Sequence, residues 1–265
     1  MLLVTTLLAL TLSGTPQQAQ PQPPSAADPH EQKAEAKKPP TPAHTGVREL
    51  LADLVADLQH IPSRRNFSVL ALGGGLAAAA HPVDRTFNAR LRSHYDGVNT
   101  AFAAGKYVGN TPEQVAMSVG TYAFGRIRHQ PKVSHLGMDL LQAQIMSEIL
   151  VQPLKLATRR QRPDLSNRQS FPSGHASVTF AAATVIERHL GWRKSVLGYT
   201  IASYVAASRL HDNRHYLSDV IFGAAVGTAA GRAVVHHKAD EWGLVPIKVP
   251  GGVALLVMRN PPAGP

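Results

Sequence analysis

The chain has 265 residues, 44% of them hydrophobic and 17% charged, which is enough for one good-sized domain with an apolar core. Its 27 lysines and arginines against 17 aspartates and glutamates give a formal net charge of +10, which favours anionic partners. The lack of cysteine excludes disulfides, thiolate metal sites and a cysteine nucleophile. No zinc-finger or aromatic-basic RNA-binding segment occurs, so we expect no nucleic-acid partner.

The first 45 residues predict an export signal followed by a tether. Residues 1–15 begin with the apolar run MLLVTTLLALTL, which has the length of a signal-peptide core and is too short to span a bilayer. An uncleaved anchor is the alternative. Residues 16–45 are rich in proline, glutamine and alanine, and so bury too little surface to offset the entropy of ordering. We therefore expect a disordered tether on an exported, periplasmic protein.

Residues 46–240 carry helical patterns, which predict an all-α fold. The first helix has apolar residues at helical spacing, with Arg48, Asp53 and Asp57 on the opposite face: Leu50, Leu51, Leu54, Val55 and Leu58. Thr111-Pro112 predicts a helix start with the threonine as its cap. Further helices are expected over 135–160, bent near Pro153, and over 174–189, 195–207 and 215–235. The expected architecture is a compact helical bundle with the active site at helix ends.

A different pattern occupies residues 241–265. Val245–Val249 and Val253–Val257 are apolar, β-branched segments that flank Pro250-Gly251-Gly252. Two such segments around a glycine turn predict a short C-terminal β-hairpin.

Four apolar windows raise the question of membrane spans: residues 67–80, 176–186, 195–208 and 220–230. Each has 11 to 14 residues, fewer than the ~20 that a spanning helix needs, and each is rich in alanine and glycine. We interpret them as buried helices of a soluble bundle rather than as spans. Peripheral contact with an anionic membrane stays open.

Three short segments carry the chemistry, and the first is cationic. Lys155 and Arg162 are seven residues apart, which places them on one face of a helix. Pro163 disfavours helical geometry at Arg162, so the helix should end there and aim the guanidinium into a pocket. Arginine pairs with two phosphate oxygens, and lysine acts as a point charge. We interpret Arg159 and Arg160 as solvated or surface-binding.

The second segment is Pro172-Ser173-Gly174-His175, directly before an apolar run. This position puts Ser173 and Gly174 at a helix start, where free N–H groups and the helix dipole favour an anion. His175 then lies in the first turn, beside that anion. An ordinary serine cap with an exposed histidine is the alternative.

The third segment joins Arg209 to His215 and Asp219. If His215 and Asp219 lie four apart on a helix, the carboxylate can accept a hydrogen bond from one imidazole nitrogen and leave the other free to attack. The competing interpretation is a metal site formed with His211, which the surrounding arginines oppose. The other histidines, His189 among them, have no comparable neighbours, so surface or core roles are expected.

Together the segments resemble the signature of the type 2 phosphatidic acid phosphatase superfamily, which includes bacterial acid phosphatases and vanadium haloperoxidases. That signature reads Lys, six residues, Arg-Pro; then Pro-Ser-Gly-His; then Ser-Arg, five residues, His, three residues, Asp. Its fixed positions are all met here: Lys155, Arg162, Pro163, Pro172, Ser173, Gly174, His175, Ser208, Arg209, His215 and Asp219. The match covers residues 155–219, about a quarter of the chain.

The resemblance implies a metal-independent phosphatase without a cofactor, acting on a lipid phosphate or small phosphorylated compound. His215 would be the nucleophile, Asp219 its orienter and His175 the acid and base. Lys155, Arg162, Ser173, Gly174 and Arg209 would bind the phosphate. A vanadate-dependent haloperoxidase and a non-catalytic basic module that binds anionic lipid are the alternatives. The chain is short for the first, and the second needs no His-Asp pair.

Overall fold

The computed structural model describes residues 46–91, 95–235, 242–249 and 252–259, and the predicted signal segment and tether lie outside this part of the chain. The described residues confirm the all-α prediction. Their elements are α1 (Val47–His60), α2 (Arg64–Ala80), α3 (Asp84–Leu91), α4 (Asp96–Val108), α5 (Thr111–Ile127), α6 (Pro131–Thr158), α7 (Gly174–Leu190), α8 (Trp192–His211), α9 (Leu217–Val235), β1 (Trp242–Val249) and β2 (Gly252–Arg259), with a 3-10 turn at His81–Val83.

Serine caps begin two of the helices that frame the bundle. The Ser63 hydroxyl accepts a hydrogen bond from the Asn66 amide at 3.2 Å at the start of α2. Ser173 does the same for the Ala176 amide, at 3.4 Å, at the start of α7. Pro153 lies inside α6, which continues to Thr158 and ends where Arg159 adopts a left-handed conformation, with φ 45°.

The centre of the bundle lies between α6, α7 and α9, with α1 against them. Its apolar cluster consists of Leu54, Leu140, Ala143, Met146, Ala181, Val185, Ala230 and Val234. Three of these eight residues are alanines, and their small side chains allow the helices to approach closely. The packing depends on backbone proximity as much as on large side chains.

A glycine stripe on α9, formed by Gly223, Gly227 and Gly231, packs directly on the backbone of α7. A Cβ added at these positions would lie 2.5 Å from the Ser173 carbonyl oxygen, 2.0 Å from that of Ser177 and 2.6 Å from that of Ala181, respectively. These distances are too short for any side chain, so the stripe sets the separation of the two helices. It thereby fixes α7, which begins with Gly174 and His175, against α9.

Three details of the predicted helices are wrong. Thr111 is not a cap, because α5 already includes it and its hydroxyl donates to Glu148 Oε1 at 2.7 Å. His215 precedes α9, which begins at Leu217, because Asn213 takes a left-handed conformation with φ 55° that interrupts the helical path. In α1, the face assignment also fails for Asp57, which is fully buried beside Leu54.

The apolar windows divide into two kinds. Those over 176–186 and 220–230 are buried, as predicted. The other two are not, because their helices turn small residues inward and leave large ones outside: Phe67 is 71% exposed, Leu72 65% and Leu197 67%. Among the described helices, Leu217–Val235 is long and apolar enough to cross a membrane, although 67% of its apolar window is buried inside the bundle.

The C-terminal strands form the predicted hairpin. β1 and β2 pair antiparallel, with Trp242 opposite Arg259 and Val249 opposite Gly252.

Candidate active site

A polar cleft of about 550 Å³ opens where the C-terminal ends of α6 and α8 meet the start of α7. A second cavity of about 580 Å³ shares Arg162, His175 and His215 with it. Six of the eight predicted site residues line the two cavities: Lys155, Arg162, Gly174, His175, Arg209 and His215. Ser173 and Asp219 are fully buried behind them.

The His215 ring is oriented by a backbone carbonyl. Its Nδ1 lies 2.7 Å from the Ser170 carbonyl oxygen, whereas Asp219 Oδ2 is 3.8 Å away. Since a carbonyl only accepts, Nδ1 carries the proton and the Nε2 lone pair is free. Asn88 holds the same residue from α3, because its amide donates to the His215 carbonyl at 2.8 Å. The predicted hydrogen bond from imidazole to Asp219 is thus replaced by one to Ser170.

Asp219 forms the centre of a buried network behind the histidine. Its Oδ2 accepts from the Ser170 hydroxyl at 2.5 Å and from the Tyr216 amide at 2.8 Å. Its Oδ1 accepts from Arg160 at 2.6 Å. Burial lowers the pKa of His215, whereas the nearby Asp219 carboxylate acts to raise it. The carboxylate therefore stabilises positive charge on the imidazole through space.

The Arg160 side chain is only 20% exposed and forms ion pairs with two carboxylates, so the interpretation of it as solvated is wrong. One nitrogen donates to Asp219 and to Ser218 Oγ, at 2.6 and 2.7 Å, and the other to Asp84 Oδ2 at 2.7 Å. Its guanidinium also lies 4.4 Å from the centroid of the Tyr216 ring. The difference from Arg159, which stays exposed, arises at the left-handed end of α6, where the chain turns back toward the bundle.

Asp84 completes this network from α3. Its Oδ1 accepts from the Ser218 amide at 2.9 Å and its Oδ2 from the Ser218 hydroxyl at 2.6 Å. A carboxylate in this position also interacts favourably with the dipole at the start of α9. Two buried carboxylates, Asp84 and Asp219, thus share one guanidinium.

His175 faces the cleft from the first turn of α7. Burial, followed by the positive charge of Arg209, lowers its pKa from 6.5 to about 3, and a hydrogen bond to the backbone of Lys106 acts in the opposite direction. The imidazole is therefore neutral near pH 7 in the ligand-free protein. Its ring has room because Gly109 has no side chain; a Cβ there would lie 3.1 Å from His175 Cδ2.

The predicted cationic side chains of Lys155 and Arg162 line the two cavities near the start of α7. A Cβ at Gly174 would lie 3.3 Å from Lys155 Nζ, so the ammonium sits close to the start of α7. Burial lowers the pKa of Lys155, and the neighbouring charge of Arg162 lowers it further. Arg162 Nε is buried without a hydrogen-bond partner among the described residues. An orphaned guanidinium donor in a cationic cleft indicates an anionic ligand.

Two further arginines of the cleft are paired with carboxylates. Arg209 donates to Asp212 at 2.6 Å, and Arg214 lies 2.9 Å from Asp164. Burial lowers the pKa of Arg209, and the Asp212 carboxylate acts to raise it. Arg209 and Arg214 both line the cleft, so each keeps part of its donor set toward the ligand space.

The competing metal interpretation of His211, His215 and Asp219 finds no geometric support. His211 stacks on Phe102, with ring centroids 4.6 Å apart, and the His215 Nδ1 that faces Asp219 is already bonded to Ser170. Within the described part of the chain, the three residues do not bring ligand atoms to one point.

Sequence reasoning missed the residues that support the predicted ones. These are Asp84, Asn88, Arg160, Ser170 and Ser218, which act on His215 and Asp219 from three separate segments. Asp84 and Asn88 are 131 and 127 residues before His215 in the sequence, so no local spacing could reveal them.

Parts of the chain are similar in sequence to known phosphatases. Residues 136–242 match the model of the PAP2 superfamily. The chain is 45% identical over 99 residues to lipid A 1-phosphatase of Porphyromonas gingivalis, covering 36% of this chain and 21% of that protein. It is 37% identical over 90 residues to decaprenylphosphoryl-5-phosphoribose phosphatase of Mycobacterium tuberculosis, covering 31% and 49%.

The structure also resembles a transmembrane PAP2 type phosphatidylglycerolphosphate phosphatase from Bacillus subtilis. The TM-score is 0.55 at 21% identity, over 64% of this chain and 93% of that one. At that identity the similarity concerns the fold alone. The chain spans about a fifth to a half of the length of the first curated relatives that it matches.

Proposed function

Because residues 136–242 match the model of the PAP2 superfamily, we propose that the chain is a PAP2-type phosphatase that hydrolyses a phosphate monoester or diphosphate through a phosphohistidine intermediate. The observation that carries this proposal is the His215 ring. Its Nδ1 is engaged by Ser170 and its Nε2 is free in a cleft that also holds Arg162, Arg209 and His175. A neutral, oriented imidazole beside several cations suits nucleophilic attack on phosphorus.

The first step transfers the phosphoryl group to the enzyme. His215 Nε2 forms a bond to phosphorus while the bond from phosphorus to the leaving oxygen breaks. His175 gives its proton to that oxygen, so the alcohol or phosphate leaves neutralised. Asp219, 3.8 Å from Nδ1, stabilises the positive charge that develops on the ring.

His175 takes up the proton that it needs from solvent when substrate binds. The free imidazole is neutral because burial and the charge of Arg209 lower its pKa to about 3. A phosphate dianion in the cleft opposes that cationic field and favours uptake of a proton from solvent. After transfer, neutral His175 accepts a proton from water, the resulting hydroxide attacks phosphorus, and the N–P bond breaks to release inorganic phosphate.

The oxygens of the transferring group would be bound by cations and backbone amides. Lys155 and Arg162 approach from the end of α6, and Arg209 from the end of α8. The N–H groups of the first turn of α7, at Gly174 and His175, have no partner within the helix and are available to an anion. The unpaired Nε of Arg162 is a further donor for this role.

The test is phosphate release by the purified full chain in detergent, in the presence of a chelator. Substrates should include phosphatidate, a prenyl diphosphate, a sugar phosphate and a nucleotide. We expect inhibition by vanadate, and we expect His215→Asn to reduce release by more than about 10³-fold. An acid-labile N–P signal in ³¹P spectra of quenched wild-type enzyme would identify the intermediate.

The matched control is His129→Asn, which changes an exposed histidine with φ 52°, a conformation that asparagine tolerates. It should retain wild-type activity. If His215→Asn retained it too, the nucleophile assignment would be wrong. If the wild-type chain released no phosphate from any substrate, the proposed activity itself would fail.

We also propose that the enzyme is exported and works at a membrane on phosphorylated lipids. The support is the exposed apolar surface of α2, α5 and α8, which includes Phe67, Phe124 and Leu197. Apolar surface of this extent indicates a lipid or protein contact. The related lipid A 1-phosphatase and decaprenylphosphoryl-5-phosphoribose phosphatase are named for lipid substrates. Labelling of introduced cysteines from outside the cell tests export.

A further inference from the structure

A second cluster of histidine and carboxylate side chains lies at the other end of the bundle. It consists of His135 and Asp139, one turn apart on α6, and His189 in the last turn of α7; we call it the His/Asp cluster. His175 and His189 mark the two ends of α7. Their 14-residue separation corresponds to about 21 Å along the helix. The cluster is therefore outside the proposed catalytic site.

The three side chains point their ligand atoms at one another. His189 Nε2 lies 2.7 Å from Asp139 Oδ2, and His135 Nε2 lies 3.3 Å from Asp139 Oδ1. All the ligand atoms lie within 4.8 Å of one another. Donors of a tetrahedral zinc ion with bonds of 2.0–2.2 Å are roughly 3.3–3.5 Å apart, so small side-chain rotations would admit an ion.

The surroundings also suit an ion. The side chains are largely withdrawn from water, with exposures of 14% for His135, 6% for Asp139 and 8% for His189. The two rings meet edge to face, with centroids 5.2 Å apart, so both Nε2 atoms can approach one point without stacking. A buried carboxylate needs compensation, which either two imidazole N–H groups or a metal ion can supply.

We propose that His135, Asp139 and His189 bind a divalent transition-metal ion of the zinc type, which links α6 to α7 at the end of the bundle opposite the cleft. Two imidazole nitrogens and one carboxylate oxygen form a donor set that such ions accept. Water would occupy the remaining coordination position. The ion stabilises the helix pair and takes no part in phosphoryl transfer, so the site is independent of the proposed function.

The test uses the full chain with any affinity tag removed, stripped with a chelator and titrated with Zn²⁺. We expect one ion per chain. We also expect a melting temperature about 5 °C higher at a hundredfold excess over Kd. Phosphate release should be the same with and without the metal, which separates this site from the catalytic one. A wild-type chain that binds no zinc would overturn the proposal.

Variants then locate the ion. Asp139→Asn and His189→Gln should abolish both binding and the shift in melting temperature. His81→Gln, an exposed histidine outside the cluster, should retain both. Because the sequence also contains the pair His236-His237, the double substitution of that pair to glutamine is a second control. Equal binding by the cluster variants and wild type would overturn the proposal.

A measurement on the wild-type protein identifies the ligands of the ion even if the variants fail to fold. X-ray absorption at the zinc edge should show two imidazole ligands and oxygen donors. A first shell with no imidazole, or with more than two, would place the ion elsewhere and overturn the assignment.

Discussion

His215 is held by groups that come from three separate parts of the chain. The Ser170 carbonyl sets its tautomer, Asn88 fixes its backbone, and Asp219 lies beside the ring. Arg160 in turn binds Asp219 and Asp84. A change at any of these residues should alter the orientation or basicity of His215, the proposed nucleophile, without removing a contact to the substrate.

Arg160→Gln should therefore impair both stability and turnover. It leaves Asp84 and Asp219 buried without their shared cation, and we expect a loss of about 3 kcal/mol in the free energy of unfolding. We expect kcat to fall at least tenfold while KM changes little, because the substrate contacts remain. Urea denaturation and steady-state kinetics measure the two effects.

Two companion variants sharpen this prediction. Arg159→Gln changes the exposed neighbour and should stay within about 0.5 kcal/mol of wild type. Arg160→Lys keeps the charge but lacks the planar fork that joins the two carboxylates, so an intermediate loss is expected. Equal behaviour of Arg159→Gln and Arg160→Gln would show that the network has no role.

His175 should make the stability of the protein depend on pH. In the unfolded chain its pKa is near 6.5, whereas burial and Arg209 lower the folded pKa to about 3. Between these values the unfolded state binds more protons, so the stability decreases as the pH falls from 6.5 toward 3. At pH 5 this contributes a loss of about 2 kcal/mol relative to pH 7.5.

His175→Asn removes this contribution. Compared at pH 7.5 and pH 5.0 by chemical denaturation, the variant should lose about 2 kcal/mol less than wild type. His129→Asn should lose as much as wild type. The same loss in all three proteins would argue against a buried, neutral His175.

At the level of single residues, the sequence predicted the groups that lie in the three motifs, including the buried Ser173 and Asp219, but not the residues outside the motifs that hold them. Lys155, Arg162 and His175 lie in short motifs whose residue types already suggest an anion. Arg160 is the same residue type as Arg159 and directly follows it in the sequence. The left-handed conformation at Arg159 directs the Arg160 side chain toward Asp84 and Asp219 and leaves Arg159 exposed. Such a turn depends on tertiary packing, which no local pattern records.

Among the helices, the contact between α7 and α9 determines the site, because it joins the segment that carries His175 to the one that carries Asp219. The glycine stripe lets the two backbones touch. Its four-residue spacing is visible in the sequence, and it is the signal that could have predicted this contact.

Gly227→Ala should separate the two helices. The new methyl group would lie 2.0 Å from the Ser177 carbonyl oxygen, so α7 must move. We expect a loss of about 1–3 kcal/mol in stability and a reduced kcat, measured by thermal unfolding and phosphate release.

The control for this prediction is Gly75→Ala in α2. A Cβ at Gly75 would meet no heavy atom within 4 Å, so the substitution should be neutral or stabilise the helix by about 0.5–1 kcal/mol. If both alanines had the same effect, close packing at Gly227 would not be the reason for its glycine.

At the level of the whole molecule, helical periodicity predicted the bundle, but composition alone could not say which helix faces are covered. Apolar residues that looked like core, such as Phe67 and Leu72, lie outside because alanine and glycine fill the interior. The sequence pattern does not reveal that the large apolar residues lie outside and the small ones inside. Exposed apolar faces of this extent indicate a lipid or protein contact.

The native chain lacks cysteine, so single introduced cysteines can report which side of a membrane each end occupies. Arg168→Cys lies in the exposed loop between α6 and α7, beside the cleft. Arg193→Cys lies in the first turn of α8, next to the C-terminal end of α7. We expect an impermeant maleimide to label Arg168→Cys in intact spheroplasts. Labelling only after lysis would refute export. If Arg193→Cys is also labelled in intact spheroplasts, the bundle is bound to the outer surface of the membrane. If it is labelled only after lysis, the bundle spans the membrane.

The glycine stripe also has a consequence for alignment. Because Gly223, Gly227 and Gly231 meet carbonyls that repeat every four residues, a slide of about 6 Å along the helix axis would match glycine to carbonyl again. The stripe therefore sets a distance but leaves the register degenerate. The hydrogen bond from the Ser173 amide to the Asp219 carbonyl, at 3.0 Å, is specific to one alignment. The Asp219 carbonyl therefore fixes the register of α9 against α7, and with it the position of His175 relative to His215.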